Sequence, residues 1–288
     1  MAQQAHESKV MTPEELANFA SYQNDGSYVF DFSRIPNENG DQILATLVQM
    51  AKKDLKSLTL CLDFYYQIYE MNSSFKSVII PGQTFANEPE MLANSVYRKD
   101  KSALQAIIIA LKYILSRSKN LEVLEFRNIP FSSNQILQIS KTFEKCTSLR
   151  SLTFDNITLF DDGFALISRA IRKVKLTQFK CQRCSLTDSS TSAIKMIINC
   201  YSTGNRKIKT KGLGNQSLQV LDLQYNSFSY RLLLDIGDVL SIIPLKILDI
   251  RFNQMIDPKI AKNMKTTIHG LDIRINSQIV KSKNKYDF

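Results

Sequence analysis

Histidine is almost absent from this chain of 288 residues, in which only His6 and His269 occur. A serine or cysteine nucleophile that relies on a histidine base therefore has few positions at which a catalytic site could be built. His269 is expected to be a structural residue near the carboxyl-terminal end. The scarcity of histidine argues against enzymes of this type, and we predict no catalytic residue.

Phosphate-binding glycine loops and long hydrophobic runs are also lacking. Gly204, Gly212 and Gly214 have no following lysine and helix, so the nine glycines predict no such loop. The most apolar run, Ala106–Leu115, is too short to span a membrane and contains Lys112. The amino terminus has no apolar signal core. These absences predict a cytoplasmic protein that binds no cofactor and enters no membrane.

Cysteine occurs five times, an odd number that fits a reducing compartment better than a set of disulfides. Cys181 and Cys184 have the C-x-x-C spacing of some zinc and redox sites. A zinc site needs two further ligands, however, and none is nearby in the sequence. Both cysteines also occupy core positions of the repeat described next. We therefore predict buried structural thiols and no metal.

The sequence contains a repeat of eleven-residue segments. Apolar residues occupy positions one, four and six of each segment, and mostly polar residues lie between them. This alternation predicts a strand with one buried face. The segments are Leu121–Phe131, Leu149–Leu159, Leu176–Leu186, Leu218–Phe228 and Leu245–Met255. Their first residues are 28, 27, 42 and 27 positions apart, and the gap of 42 indicates an insertion of about 15 residues.

Helical spacing follows the first four segments. Apolar residues recur eighteen and twenty-two positions after each segment begins, on one face of a helix. These residues are Ile139, Ile167, Ile194 and Ile236, and then Phe143, Ile171, Ile198 and Leu240. Ser132, Asp161, Asp188 and Ser229 occupy positions expected of helix caps. The repeating unit is therefore a strand, a turn and a helix.

This unit and its period predict an α/β fold of the leucine-rich repeat type. A helix needs about 10 Å of lateral room and a strand about 4.8 Å, so stacked units should curve into a horseshoe. Parallel strands would then line the concave face and helices the convex face. We predict an N-terminal helical cap at 1–54, the solenoid at 55–270, and a C-terminal cap with a basic tail at 271–288. Insertions are expected near 86–101 and 201–216, and Phe75–Phe85 is a degenerate copy of the segment.

Four segments point to a particular family through their order along the chain. They are Val29–Ile35, Val96–Lys112, the insertion Tyr201–Gln216, and Leu248–Asp257 in the final repeat. Together they resemble the leucine-rich repeat region of the seventy-eight-kilodalton centrosomal protein family. The resemblance implies a non-enzymatic scaffold of the cytoskeleton, at the centriole, basal body or axoneme of the cilium. The family is also linked to regulation of a ubiquitin ligase, so a cytosolic adaptor of that ligase is the alternative.

Binding residues are expected on the concave face, where positions three, five, seven and eight of each segment project. Tyrosine, phenylalanine and arginine are enriched at interface hot spots. The protein-binding candidates are Arg127, Lys180, Arg183, Tyr225, Arg251 and Phe252. Tyr225, Arg251 and Phe252 are the leading cluster, and the alternative for Phe252 is packing under the C-terminal cap.

The net charge of +10, from 37 basic and 27 acidic residues, favours an acidic partner. The insertion forms a basic loop with Arg206, Lys207, Lys209 and Lys211 and contains no acidic residue among them. Acidic tubulin tails or another acidic protein are candidate partners, and a merely solvated loop is the alternative. Nucleic acid is an unlikely partner, because no aromatic residue interleaves these basic ones and no nucleic-acid module is recognised.

Overall fold

The computed structural model describes residues 20–23, 26–31, 47, 55–61, 101–143, 146–172, 174–202, 218–240, 245–254, 259, 263 and 270–276. Within these ranges nine strands form one open sheet, and their order in the sheet is their order in the chain. The strands are β1 Ala20–Gln23, β2 Ser27–Asp31, β3 Ser57–Cys61, β4 Val123–Arg127, β5 Ser151–Asp155, β6 Gln178–Gln182, β7 Val220–Asp222, β8 Ile247–Asp249 and β9 Asp272–Arg274. β1 is antiparallel to β2, and all pairs from β2 to β9 are parallel.

Helices connect the parallel strands, as a parallel crossover requires. They are α1 Lys101–Arg117, α2 Ser133–Phe143, α3 Phe160–Ile171, α4 Thr191–Ser202 and α5 Arg231–Leu240, and a short 3-10 helix, Asp188–Ser190, precedes α4. Each helix packs against the helix of the neighbouring unit. The predicted α/β class with parallel strands is therefore confirmed. In the described part of the chain, no helix is both long enough and apolar enough to cross a membrane.

The core lies between the helices and one face of the sheet. All eight helix residues predicted from the spacing are fully buried. Strand positions four and six are buried in the same cluster, in which the rings of Phe126 and Phe154 stack with centroids 5.2 Å apart. Because side chains alternate along a strand, positions three, five and seven lie on the other face of the sheet.

Two of the four predicted helix caps are confirmed. Ser132 and Gln135 form a capping box at α2, in which the Ser132 N–H donates to Gln135 Oε1 at 2.8 Å and Ser132 Oγ accepts from the Gln135 N–H at 3.4 Å. Ser229 Oγ accepts from the Arg231 N–H at the start of α5, at 3.2 Å. In both cases a serine precedes the helix and satisfies a free backbone N–H.

The other two predicted caps, Asp161 and Asp188, are wrong. α3 begins after Leu159, which offers no side-chain cap, and Asp161 instead accepts hydrogen bonds from the Thr187 N–H at 2.9 Å and from the Thr187 hydroxyl at 2.7 Å. Asp188 likewise accepts from the Ser229 N–H at 2.9 Å and from its hydroxyl at 2.5 Å. These carboxylates join each unit to the next unit.

The sheet extends past the predicted solenoid boundaries at both ends. β1 and β2 lie within the segment 1–54 predicted as an N-terminal cap, and β9 lies within 271–288. The degenerate copy Phe75–Phe85 lies outside the described residues, as do 86–100 and 203–216 in the predicted insertions. β3 pairs directly with β4.

Candidate protein-binding site

We call the sheet surface formed by positions three, five and seven the helix-free face. In β3 this face is covered, because Thr59 and Cys61 are buried. In β4 and β6 the same positions are partly exposed, and Arg127 and Lys180 lie there as predicted. The accessible part of the helix-free face therefore begins at β4 and continues toward β9.

Charges on this face and at position eight balance and are mostly paired. From β4 to β9 these positions hold five basic residues and five acidic ones. The ion pairs are Arg127 with Glu125 at 3.4 Å, Arg183 with Asp155 at 2.6 Å, Arg251 with Asp249 at 2.7 Å, and Arg274 with Asp272 at 2.8 Å. The overall excess of +10 is therefore located elsewhere in the molecule.

Two carboxylates of the helix-free face are buried although their positions predict exposure. Asp222 is 7% exposed and Asp249 is 3% exposed, and the two are neighbours in register. Asp222 accepts from Gln182 Nε2 at 2.6 Å and from Gln224 Nε2 at 3.0 Å. Asp249 accepts from Arg251 Nε at 2.9 Å and Nη2 at 2.7 Å, which raises the pKa of Arg251. Flanking polar side chains thus cover these carboxylates and compensate for their burial.

Position eight adopts the same unusual backbone conformation in the five units from β4 to β8. The φ angles are 60° at Asn128, 54° at Asn156, 52° at Arg183, 56° at Tyr225 and 59° at Phe252. At the first four of these positions the N–H donates to the position-seven carbonyl of the next unit, at 2.9 to 3.2 Å. At Phe252 the N–H donates to Asn276 Oδ1 at 3.0 Å. The left-handed conformation therefore belongs to the turn by which each strand leaves the sheet.

Side chains at position eight form a continuous stack along the carboxyl edge of the sheet. The rings of Tyr225 and Phe252 are nearly parallel, at 7°, with centroids 4.3 Å apart. The Arg183 guanidinium lies 5.1 Å from the centroid of Tyr225 and also binds Asp155. We call Arg183, Tyr225 and Phe252 the edge stack. Phe252 remains 39% exposed, so the stack offers an aromatic surface to solvent.

The residue types of the edge stack are poorly suited to their backbone conformation. Asparagine tolerates the left-handed region, and the first two units have Asn128 and Asn156 at position eight. For other L-residues this conformation costs about 1–2 kcal/mol. The last three units nevertheless place Arg183, Tyr225 and Phe252 there. Backbone preference therefore does not explain why these residues occupy position eight. The stacking and exposure of their side chains explain it instead.

Position nine holds the turn together from inside. Asn226 is buried, its Oδ1 accepts from the N–H groups of Cys184 and Leu186, and its Nδ2 donates to the carbonyls of Cys181 and Leu223, at 2.8 to 3.1 Å. In the preceding unit Cys184 takes this position, and its thiol lies 3.1 Å from the Gln182 carbonyl. Cys181 and Cys184 are free and buried, as predicted. Among the described residues no group of three or more potential ligands is placed to hold a metal.

Two of the buried thiols should make the free energy of unfolding depend on pH in the alkaline range. Burial raises the pKa of Cys146, and raises that of Cys181 well above its usual range with a further contribution from Cys184. Unfolded thiols ionise near pH 8.5. Above that pH the unfolded state binds fewer protons than the native state, so stability should fall as the pH rises. The fall should be about 1.4 kcal/mol per pH unit for a thiol such as Cys181 that stays protonated in the native state. Below pH 8 neither thiol should contribute a pH dependence.

Urea unfolding at pH 8, 9 and 10 measures this effect, and Cys181→Ala is the control. The free energy of unfolding of the variant should decline with pH by about 1.4 kcal/mol per unit less steeply than that of the wild type. The two proteins differ only at this residue, so the difference in slope isolates the thiol. Equal slopes would show that Cys181 is not buried as a neutral group.

The structure brings together only part of the predicted binding set. Arg183, Tyr225 and Phe252 form the edge stack, and Arg251 is held by Asp249 beside it. Arg127 lies in β4, at a distance of several strands, and Lys180 lies in β6. The basic loop Arg206, Lys207, Lys209 and Lys211 and both histidines lie outside the described residues. Phe252 stacks on Tyr225. The alternative prediction placed Phe252 under the C-terminal cap and did not include this stacking.

Comparison with known proteins assigns no family. No protein-family model matches the chain, and no curated protein is significantly similar to it. What can be stated of its class comes from the structure: the chain has an α/β fold with parallel strands in sequential order and a stacked aromatic and cationic row at their carboxyl edge.

Proposed function

We propose that the protein is a leucine-rich repeat solenoid that binds another protein through its helix-free face and edge stack. In this proposal the parallel strands line the concave face of a horseshoe and the helices form its convex face. The repeat period, the sequential strand order and the asparagines that bond the turns at position nine, Asn226 and Asn253, support it. The proposed activity is binding without catalysis.

One observation carries the binding proposal. Three successive units place Arg183, Tyr225 and Phe252 in a left-handed conformation that disfavours them, while Asn128 and Asn156 show what the turn itself prefers. Conformational strain of this kind is retained at functional sites. Aromatic and arginine side chains also contribute most of the binding energy in protein interfaces. The edge stack is therefore the proposed centre of the interface.

Replacing Phe252 by asparagine tests the role of the edge stack. Stability should change by less than about 1 kcal/mol, because relief of the left-handed strain offsets the loss of ring stacking, worth about 0.5–1.5 kcal/mol. Partner binding should weaken about tenfold or more, as at an interface hot spot. The matched control is Tyr230→Asn, which removes an exposed ring outside the stack.

The measurement is quantitative co-purification with each tagged variant from the native cell, together with thermal unfolding of each purified variant. Proteins lost with Phe252→Asn and retained with Tyr230→Asn are partners of the edge stack. An identical set of co-purified proteins for wild type and Phe252→Asn, with both proteins folded, would contradict the proposal.

We propose further that this scaffold acts at the centriole, basal body or ciliary axoneme. The support is the resemblance of four segments to the centrosomal family. One of them, Leu248–Asp257, includes the last two residues of β8 and Phe252 of the edge stack. Fractionation of a ciliated cell that expresses the tagged protein tests this location. Retention with salt-washed cilia and basal bodies supports a scaffold. A wholly soluble pool that recovers ubiquitin-ligase subunits would favour the adaptor instead.

A further inference from the structure

The amino ends of the strands form the edge of the sheet opposite to the edge stack. Along this edge, position two of each unit hydrogen-bonds to position two of the previous unit through the backbone, at 2.7 to 2.8 Å. The row consists of Lys56, Glu122, Arg150, Thr177, Gln219 and Lys246. Since adjacent strands are about 4.8 Å apart, the row is about 24 Å long.

Basic residues from the helix-to-strand connections lie at this edge as well. α1 ends at Arg117 and is followed by Lys119, and α3 ends before Arg172, which is followed by Lys175. We call the set Lys56, Arg117, Lys119, Arg150, Arg172, Lys175 and Lys246 the basic edge. Together with Arg117 at the end of α1, the described residues of these connections and of the position-two row hold seven positive charges. Glu122 is their one acidic residue, which leaves a net charge of +6.

The opposite edge has the reverse charge. From position nine through the first turn of each helix from α2 to α5, the described residues contain Asp161, Asp162 and Asp188 against Arg231, a net charge of −2. The helix-free face between the two edges is neutral because its charges balance. The positive charge of the described repeats is therefore not spread evenly over the surface of the molecule, and the basic edge is one place where it is concentrated.

Helix dipoles account for only two of these seven cations, Arg117 in the last turn of α1 and Arg172 directly after α3. A cation is favoured only within the last turn of a helix. Lys119, Lys175 and Lys246 instead lie beyond helix ends and directly before strands, and sheets have only a small net dipole. Four lysines of the basic edge are exposed and form no ion pair with a described residue: Lys56, Lys119, Lys175 and Lys246. These ammonium groups are available to an external anion.

We propose that the basic edge binds an acidic peptide segment of a partner protein. An extended peptide advances about 3.3 Å per residue, so about seven residues span the row from Lys56 to Lys246. Lysine ammonium groups on long stems suit carboxylates at variable positions along such a segment. Single-stranded nucleic acid is a poorer match, because the described aromatic ring beside the basic edge, that of Tyr113, already has the Arg117 guanidinium 5.2 Å from its centroid, and base stacking requires open rings.

The probe is a fluorescently labelled peptide of about eight glutamates, with a glutamine peptide of equal length as the uncharged comparison. Fluorescence anisotropy measures its affinity for the full chain at low and at physiological salt. The wild type should bind the glutamate peptide and not the glutamine peptide, and added salt should weaken the binding. The double variant Lys119→Glu, Lys175→Glu should bind the glutamate peptide about tenfold more weakly.

The matched control is the double variant Lys112→Glu, Arg231→Glu. Both residues are exposed and lie away from the basic edge, in the middle of α1 and at the start of α5. This control has the same net charge as the edge variant and should lose no more than about twofold in affinity. Equal losses in the two variants would show a general charge effect and overturn the proposal.

Two other results would also overturn the proposal: failure of the wild type to bind the glutamate peptide, and tighter binding of a single-stranded oligonucleotide of equal charge. The Phe252→Asn variant should bind the peptide as the wild type does, because the edge stack lies at the other edge of the sheet. Failure of the basic edge and failure of the edge stack are therefore distinguishable.

Discussion

Replacing Leu221 by aspartate is expected to unfold the protein. Leu221 is fully buried in β7, and its register neighbours Phe179 and Leu248 are also fully buried. The substitution removes a leucine contribution of about 1.5–3 kcal/mol and places a carboxylate in the core at a further cost of several kcal/mol. Together these costs approach the whole stability of a typical domain, about 5–15 kcal/mol.

Far-ultraviolet circular dichroism and thermal unfolding measure the result, and Val220→Asp is the control. Val220 is the preceding residue and lies on the helix-free face, where it is only half-buried. Its replacement should cost less than about 1 kcal/mol. If Leu221→Asp melted at the wild-type temperature, or if Val220→Asp were the more damaging change, Val220 and not Leu221 would point into the core.

Replacing Asn226 by leucine is expected to cause the second-largest loss. The leucine side chain cannot replace the hydrogen bonds to the N–H groups of Cys184 and Leu186 or to the carbonyls of Cys181 and Leu223. Each buried backbone group left without a partner costs about 1–3 kcal/mol, so the loss should be about 3–6 kcal/mol after partial relaxation. The gain from the larger apolar side chain is smaller than this cost.

Urea unfolding of Asn226→Leu should be compared with that of Asn134→Leu. The second variant has the same chemical change at an exposed position of α2, where it should alter stability by no more than about 0.5 kcal/mol. A similar small effect at both positions would mean that the buried amide of Asn226 is not needed to hold the turn. The units with Ile129 and Ile157 at position nine show that an apolar residue is accepted when the surrounding turn differs.

The sequence predicts the repeat architecture well because that architecture follows from local hydrophobic periodicity. Strand positions four and six and the helix positions at eighteen and twenty-two residues are buried where the spacing places them. Ser132 and Ser229 are recognised as caps because the hydrogen bonds of a cap span two or three residues. Patterns that act over a few residues can be interpreted from one chain without its fold.

The candidate site was predictable only in part. Arg183, Tyr225 and Phe252 share position eight of their segments, but the periodicity does not indicate that their side chains stack on one another. Asp222 and Asp249 occupy positions that predict exposure. The side chains that cover them, those of Gln182 and Arg251, come from other positions of the helix-free face. The signal that could have revealed the edge stack is the change from asparagine to bulky residues at position eight.

The order of strands and helices and the residues that form the core are thus properties of the sequence, since they depend on which side chains avoid water within a single unit. The contacts between units arise from the fold. Asp161 binds Thr187 across 26 positions, Gln182 binds Asp222 across 40, and the basic edge joins residues from Lys56 to Lys246. Such contacts exist because the parallel sheet brings equivalent positions to about 4.8 Å, whatever their separation along the chain.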